Sequence, residues 1–170
     1  MRTPTFLLAL LTVAATATPA IAQGPDDATI VAIFDAANTA DIETGQLAAD
    51  HGSTEQIRNF GRMLVTDHTN VRQQGRDLAA RLHVTPTPPM DDAAATAHRA
   101  AMAKLRGLSG RAFDRAFLEH EIAFHKAVIE AVQSTLLPAI DNAELKALVE
   151  KVAPAFVAHQ KAAESLLGNL

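Results

Sequence analysis

Six side chains fall where four amphipathic helical patterns should turn toward a shared interior: Asp41, Asp67, His68, Glu121, His125 and His159. Carboxylates and imidazoles are expensive to bury unless they are paired or coordinate a metal. Helices that each send one such group into a common core are how bundle metal sites are built. Imidazole suits Zn, Cu, Fe and Ni. The expected cofactor is therefore one such transition-metal ion, with His68, His125, His159, Asp41 and Glu121 as ligands and Asp67 orienting His68 from outside. Past residue 22 only Met63, Met90 and Met102 could offer thioether sulfur, and they form no motif, which disfavours Cu(I). The same residues also allow a metal-free network, in which the histidines hydrogen-bond to Asp41, Asp67 and Glu121 and fix helix register.

Reaction chemistry finds less support. Di-iron carboxylate bundles use Glu-x-x-His on two helices, and this chain contains no Glu-x-x-His; the nearest pair is Glu121 with His125. There is no glycine-rich phosphate loop, Gly-x-Ser-x-Gly elbow or His-Glu-x-x-His motif. Asp67 and His68 are adjacent, so on a helix they point about 100° apart and make a poor half of a hydrolase triad. His51, His83 and His98 lie near helix ends or on polar surface and read as solvated. No catalytic residue is assigned; whether the protein is an enzyme stays open, with a non-catalytic role favoured.

Arg2, the apolar run opening at Phe6 and the small-x-small triplet Ala20-Ile21-Ala22 form the pattern of a secretory signal peptide over 1–22. An exported, periplasmic protein is expected, with one domain over 23–170. No later segment approaches the roughly 20 apolar residues of a membrane span. The absence of cysteine excludes disulfides, thiolate metal sites and an N-terminal lipid anchor. The net charge of −4 becomes about −5 once Arg2 is removed, and Trp and Tyr are absent, which together exclude nucleic acid as a partner. A metal ion and a second copy of the chain stay open as partners; no protein partner is identified.

The elements that must position these groups are helices. From Asp26 to about Asp50, Ile30, Ile33, Phe34, Ala37, Asp41, Thr44 and Ala48 make one stripe, and Ser53 with Gln56 is the expected capping box of the next helix. There Ile57, Gly61, Leu64, His68, Val71, Gly75, Leu78 and Leu82 alternate steps of four and three. Val84 to Pro89 must be extended. Asp91 or Asp92 caps a short helix through about Arg106, and Ser109 caps another that carries Asp114, Leu118, Glu121, His125, Val128 and Val132 until Pro138 stops it. The last helix, capped by Asp141 with Glu144, aligns Leu145, Leu148, Val152, Ala155, His159, Ala162 and Leu166, with Pro154 one turn before His159.

Four long helices and a short one make an all-α, ferritin-like four-helix bundle, with the additional short helix in the crossover between helices two and three. A simple up-down order is the alternative. Counting about 1.5 Å per residue puts the polar residues within roughly 12 Å along the axis, in either one cluster or two layers.

The segment Ala40 to Ala48 (Ala-Asp-Ile-Glu-Thr-Gly-Gln-Leu-Ala), then Phe60 with Met63 to Val65, Asp67-His68, Gly110 to Asp114, Phe117, His125 and Ala153-Pro154 followed by His159, resembles the domain of unknown function 4142 family. The resemblance implies an exported bacterial ferritin-like bundle without an established activity. His68, His125, His159 and Asp67 match its pattern, which carries Glu at the position of Asp41. Two roles follow as expectations: a periplasmic metal-binding protein, or a non-catalytic envelope or stress-related module whose polar centre is structural.

Overall fold

The computed structural model describes residues 24–170 except Asp92. The expected signal peptide and one of the two candidate caps of the short helix therefore lie outside the described residues. All regular elements among those described are helical: α1 (Asp27–His51), α2 (Glu55–Arg81), α3 (Ala93–Arg106), α4 (Gly110–Ala131), a π-helical turn (Val132–Leu136), α5 (Leu137–Ala139) and α6 (Ala143–Gly168).

The helix starts follow capping chemistry, but with different residues from those expected. Asp26 accepts from the Thr29 amide at 2.8 Å to begin α1. Thr54, not Ser53, caps α2, because both the amide and hydroxyl of Ser53 are engaged by the buried carboxylate of Asp114 on α4. Asn142, not Asp141, caps α6, accepting from Glu144 and Leu145, while the amides of Asp141 and Asn142 donate to Asp27. Asp91 accepts from the Ala93 amide at 2.7 Å, and Ser109 precedes α4 without a side-chain cap bond. Pro138 does not stop the fourth helix. The Leu137 amide reaches back to the Val132 carbonyl across the π turn, and Pro138 sits in the first turn of α5, where a missing N–H costs little. Pro154 likewise lies inside α6 without ending it.

The apolar core is in two parts. Ile30 and Phe34 of α1, Val71 and Leu78 of α2, Val132, and Leu145, Val149, Val152 and Phe156 of α6 form one cluster. Ala48, Ile57, Leu64, Leu105, Phe113, Phe117, Leu118 and Ala163 form the other. The first cluster therefore holds the start of α1, the end of α2, the end of α4 and the start of α6, and the second holds their opposite ends. The order is up-down-down-up, and α3 runs back along the outside to bury Met102 and Leu105. This is the crossover arrangement of a ferritin-like bundle.

Around the bundle the sequence of neighbours is α1, α2, α6, α4 and back to α1, with α1 packed most extensively on α2 and α4 on α6. The first pair touches backbone to backbone: a Cβ on Gly61 would stand 2.5 Å from the Gly45 carbonyl oxygen. No helix among the described residues is long and apolar enough to cross a membrane.

A candidate metal centre

Between the two apolar clusters lies one polar layer. Steps of three along α1 turn Asn38, Asp41 and Thr44 inward; α2 adds His68 between Leu64 and Val71, α4 adds Glu121 and His125, and α6 adds His159. All seven are buried. The three imidazole rings pack with centroids 5.0 Å (His68–His159), 5.3 Å (His125–His159) and 5.6 Å (His68–His125) apart. Of the two registers that counting allowed, the structure has the single cluster.

The outward nitrogen of every ring is occupied, and each partner dictates which nitrogen carries the proton. Asn38 donates its amide to the Phe34 carbonyl at 2.7 Å, which leaves its Oδ1 to accept from His68 Nδ1 at 2.9 Å. His125 Nδ1 donates to the Glu121 carbonyl at 3.0 Å. His159 Nε2 donates to the Asp67 carboxylate at 3.0 Å. In the neutral rings the remaining nitrogens, His68 Nε2, His125 Nε2 and His159 Nδ1, then carry lone pairs. These face one another: His68 Nε2 is 3.1 Å from His159 Nδ1, and Asp41 Oδ2 is 3.3 Å from His68 Nε2 and 3.8 Å from His125 Nε2. Electron pairs at such separations repel unless a cation or a proton lies between them.

Burial makes a proton on the imidazoles a costly solution. It pushes His68 down to about 3, with His159 and His125 adding to the effect, and His125 down to about 4, despite the Glu121 carbonyl that favours its charged form. The carboxyls move the other way. Burial and then the nearby Glu121 hold Asp41 well above the usual carboxylate range, and burial raises Glu121 to about 7. Asp41 Oδ1, both Glu121 oxygens and His125 Nε2 lack any hydrogen-bond partner, although buried polar atoms are nearly always satisfied. The Thr44 hydroxyl reaches the carbonyls of Ala40 and Asp41, and with the Asp41 carboxyl it holds back the rise of Glu121.

The residues present fit a metal. His68, His125 and His159 each offer a ligand atom within 4.8 Å of the others, as do Asp41, Glu121 and His125. A tetrahedral ion with bonds of about 2.0–2.1 Å separates its ligands by about 3.3–3.4 Å, close to the 3.1, 3.3 and 3.8 Å found here. Outer partners that hold ligating imidazoles by their second nitrogen are a regular feature of metal sites. Five sequence candidates, Asp41, His68, Glu121, His125 and His159, are thus brought together. Asp67 is present in a different role: it holds His159, and His68 is held by Asn38. Sequence reasoning passed over Asn38, whose only signal was its position four residues after Phe34 and three before Asp41. It also passed over Phe156, which stacks on His68 at 5.7 Å with the rings nearly parallel.

Two solved structures share this fold. One, described as the crystal structure of a DUF305 fragment from Deinococcus radiodurans, has a TM-score of 0.74 at 17% identity, covering 84% of this chain and 95% of that one. The other, described as CopM in the Cu(II)-bound form, has a TM-score of 0.63 at 15% identity, covering 85% of this chain and 98% of that one. A search among curated proteins finds no match. The family model described as "Domain of unknown function (DUF4142)" matches residues 11–166. With nearly its whole length matched and the bundle in place, the chain belongs to the DUF4142 family.

Proposed function

We propose that this protein binds one divalent transition-metal ion in its buried centre, through His68, His125, His159 and Asp41, and that it serves in metal storage, scavenging or tolerance as an exported, periplasmic protein. The observation that carries this reading is the convergence of three imidazole lone pairs on the Asp41 carboxyl group, more acceptors than one carboxyl proton can satisfy. Charge supports a divalent ion. Three neutral imidazoles with Asp41 and Glu121 ionised carry two negative charges, so one such ion makes the buried layer neutral, the condition that burial demands. Nitrogen and oxygen ligands suit Zn, Cu(II), Ni and Fe, with Cu(II) favoured by intrinsic affinity. The Cu(II)-bound state of a protein with the same fold makes copper the first ion to try.

Isothermal titration of the chelator-stripped protein with Cu(II), Zn(II), Ni(II) and Fe(II) tests the reading. One ion per chain is expected, with binding lost in His68→Ala and His159→Ala and kept in His51→Ala, whose side chain is exposed. Binding no tighter than that of the His68→Ala protein would overturn the reading. It would leave the metal-free network, with a proton between His68 and His159, as the role of the layer.

A further inference from the structure

An ion can reach a buried centre only through one of the seams between helices. Among the described residues, three of the four present no exposed carboxylate in contact with an imidazole of the centre. On the α1–α2 side Gly45 and Gly61 bring the two backbones into contact at one level. Farther along, a cavity of about 520 Å³ is lined by Phe34, Asp35, Arg72 and Arg76, but its one carboxylate, Asp35, is held by Arg76. Along the α1–α4 seam lies α3, docked by buried Met102 and Leu105 and by His98, whose Nε2 is 2.8 Å from Glu43 Oε2 on α1. Beside it on α4, half-buried His120 is held below its usual range by burial and then by the nearby His98 and Lys104. On the α4–α6 side an apolar cavity of about 450 Å³ is lined by Ile129, Val132, Pro154 and Phe156. Phe156 lines that cavity and also packs parallel to His68, with 5.7 Å between ring centroids, so the side chain that adjoins the imidazoles there is an apolar ring. Along the axis the two apolar clusters close both ends.

The α2–α6 seam differs. Asp67 stands there on α2 with its side chain 43% exposed, whereas Asp41 is 3% and Glu121 0% exposed. Its Oδ2 is 3.0 Å from His159 Nε2, and the opposite nitrogen of the same ring is 3.1 Å from His68 Nε2. One imidazole therefore touches a solvent-facing carboxylate with one edge and the interior of the centre with the other.

Building on the metal-binding reading, we infer that Asp67 and His159 form the uptake port of the centre. Asp67 captures the cation at the surface and hands it past the edge of the His159 ring to the inward Nδ1, while Nε2 keeps its proton and its bond to the Asp67 carboxylate re-forms behind the ion. Asp67 is thus a capture and positioning residue and not a lasting ligand. A carboxylate at the mouth of a closed site raises the local cation concentration and the association rate.

Stopped-flow association of Cu(II) with the stripped full chain, and its release into excess EDTA, tests this. Asp67→Asn keeps an oxygen for the His159 N–H and removes only the charge. Its association rate is expected to fall about ten-fold, the release rate not rising to match, and Asp67→Glu should restore uptake. Asp77→Asn alters an exposed carboxylate on the same helix whose partner is Gln73, and should leave uptake within about two-fold. If Asp67 only orients His159, association stays unchanged and release accelerates, which overturns the inference. An equal slowing in Asp77→Asn overturns it too, by assigning the effect to net charge. Absence of Cu(II) binding in the unaltered protein would instead remove the metal-binding reading itself.

Discussion

The two sides of the polar layer solve burial differently. On the imidazole side every ring has its outer nitrogen bonded, to Asn38, to the Glu121 carbonyl or to Asp67. The folded chain thereby selects the tautomers before any ion arrives. On the carboxyl side Asp41 Oδ1 and both Glu121 oxygens make no well-formed hydrogen bond, and Glu121 has only the carboxyl of Asp41, the Thr44 hydroxyl and His125 Nδ1 at 3.5 Å beside it. The imidazoles are prepared, and the carboxyls are pushed toward their protonated forms. A layer that served only to fix helix register would gain by satisfying both sides, because a half-satisfied buried network is worse than an apolar core. The unequal treatment is what the proposed cation would balance, by displacing the carboxyl protons.

Breaking the imidazole side should have the largest effect. Replacing His125 by Ala is expected to weaken metal affinity by more than about 100-fold, beyond the roughly ten- to hundred-fold typical for loss of an outer partner; calorimetric titration measures it. Supplying the ion should stabilise the fold, since it binds the native state alone. At about 100 times Kd the gain is roughly 2.7 kcal/mol, or about 5–10 °C in melting temperature for a domain of this size.

Altering the carboxylate side should reverse sign between metal-free and metal-bound protein. The folded value of Glu121 is raised, to about 7 from 4.5, so its contribution is fully present below pH 4.5 and is lost as pH rises through about 7. Glu121→Gln removes that loss. In denaturant titrations the metal-free variant is expected to be more stable than the parent by on the order of 2 kcal/mol above pH 7, with the gap closing toward pH 4.5. The same variant should bind metal more weakly. The smallest effect sharpens the comparison: Asn38→Ala frees His68 Nδ1 without touching a ligand and should cost about ten- to hundred-fold in affinity.

Much of this was legible in the sequence because α2 has an unbroken four-three seam, in which His68 occupies a core position beyond argument. Elsewhere apolar residues cover more than one stripe. In α6 the steps through Leu148, Ala155 and Ala162 and those through Val149, Phe156 and Ala163 both contain Leu145, Val152 and His159; the second set is the buried one. His159 was therefore found while its neighbour Phe156 was not. In α1 the same ambiguity favoured Ala37 over Asn38, since an alanine fits any face and an asparagine none by default. The caps at Thr54 and Asn142 were displaced by carboxylates 61 and 114 residues away from the amides they bind, and no local pattern reports partners at that distance. The choice between one cluster and two layers depended on loop geometry that residue counting does not contain.

The central claim is that the three prepared imidazoles meet on one ion. X-ray absorption at the edge of the ion retained after dialysis tests it most directly. The expected spectrum has one ion per chain, with multiple-scattering features of three imidazoles and the remaining ligands oxygen. A bound ion with an all-oxygen shell, or with fewer than three imidazoles, would contradict the assignment of His68, His125 and His159 as its ligands.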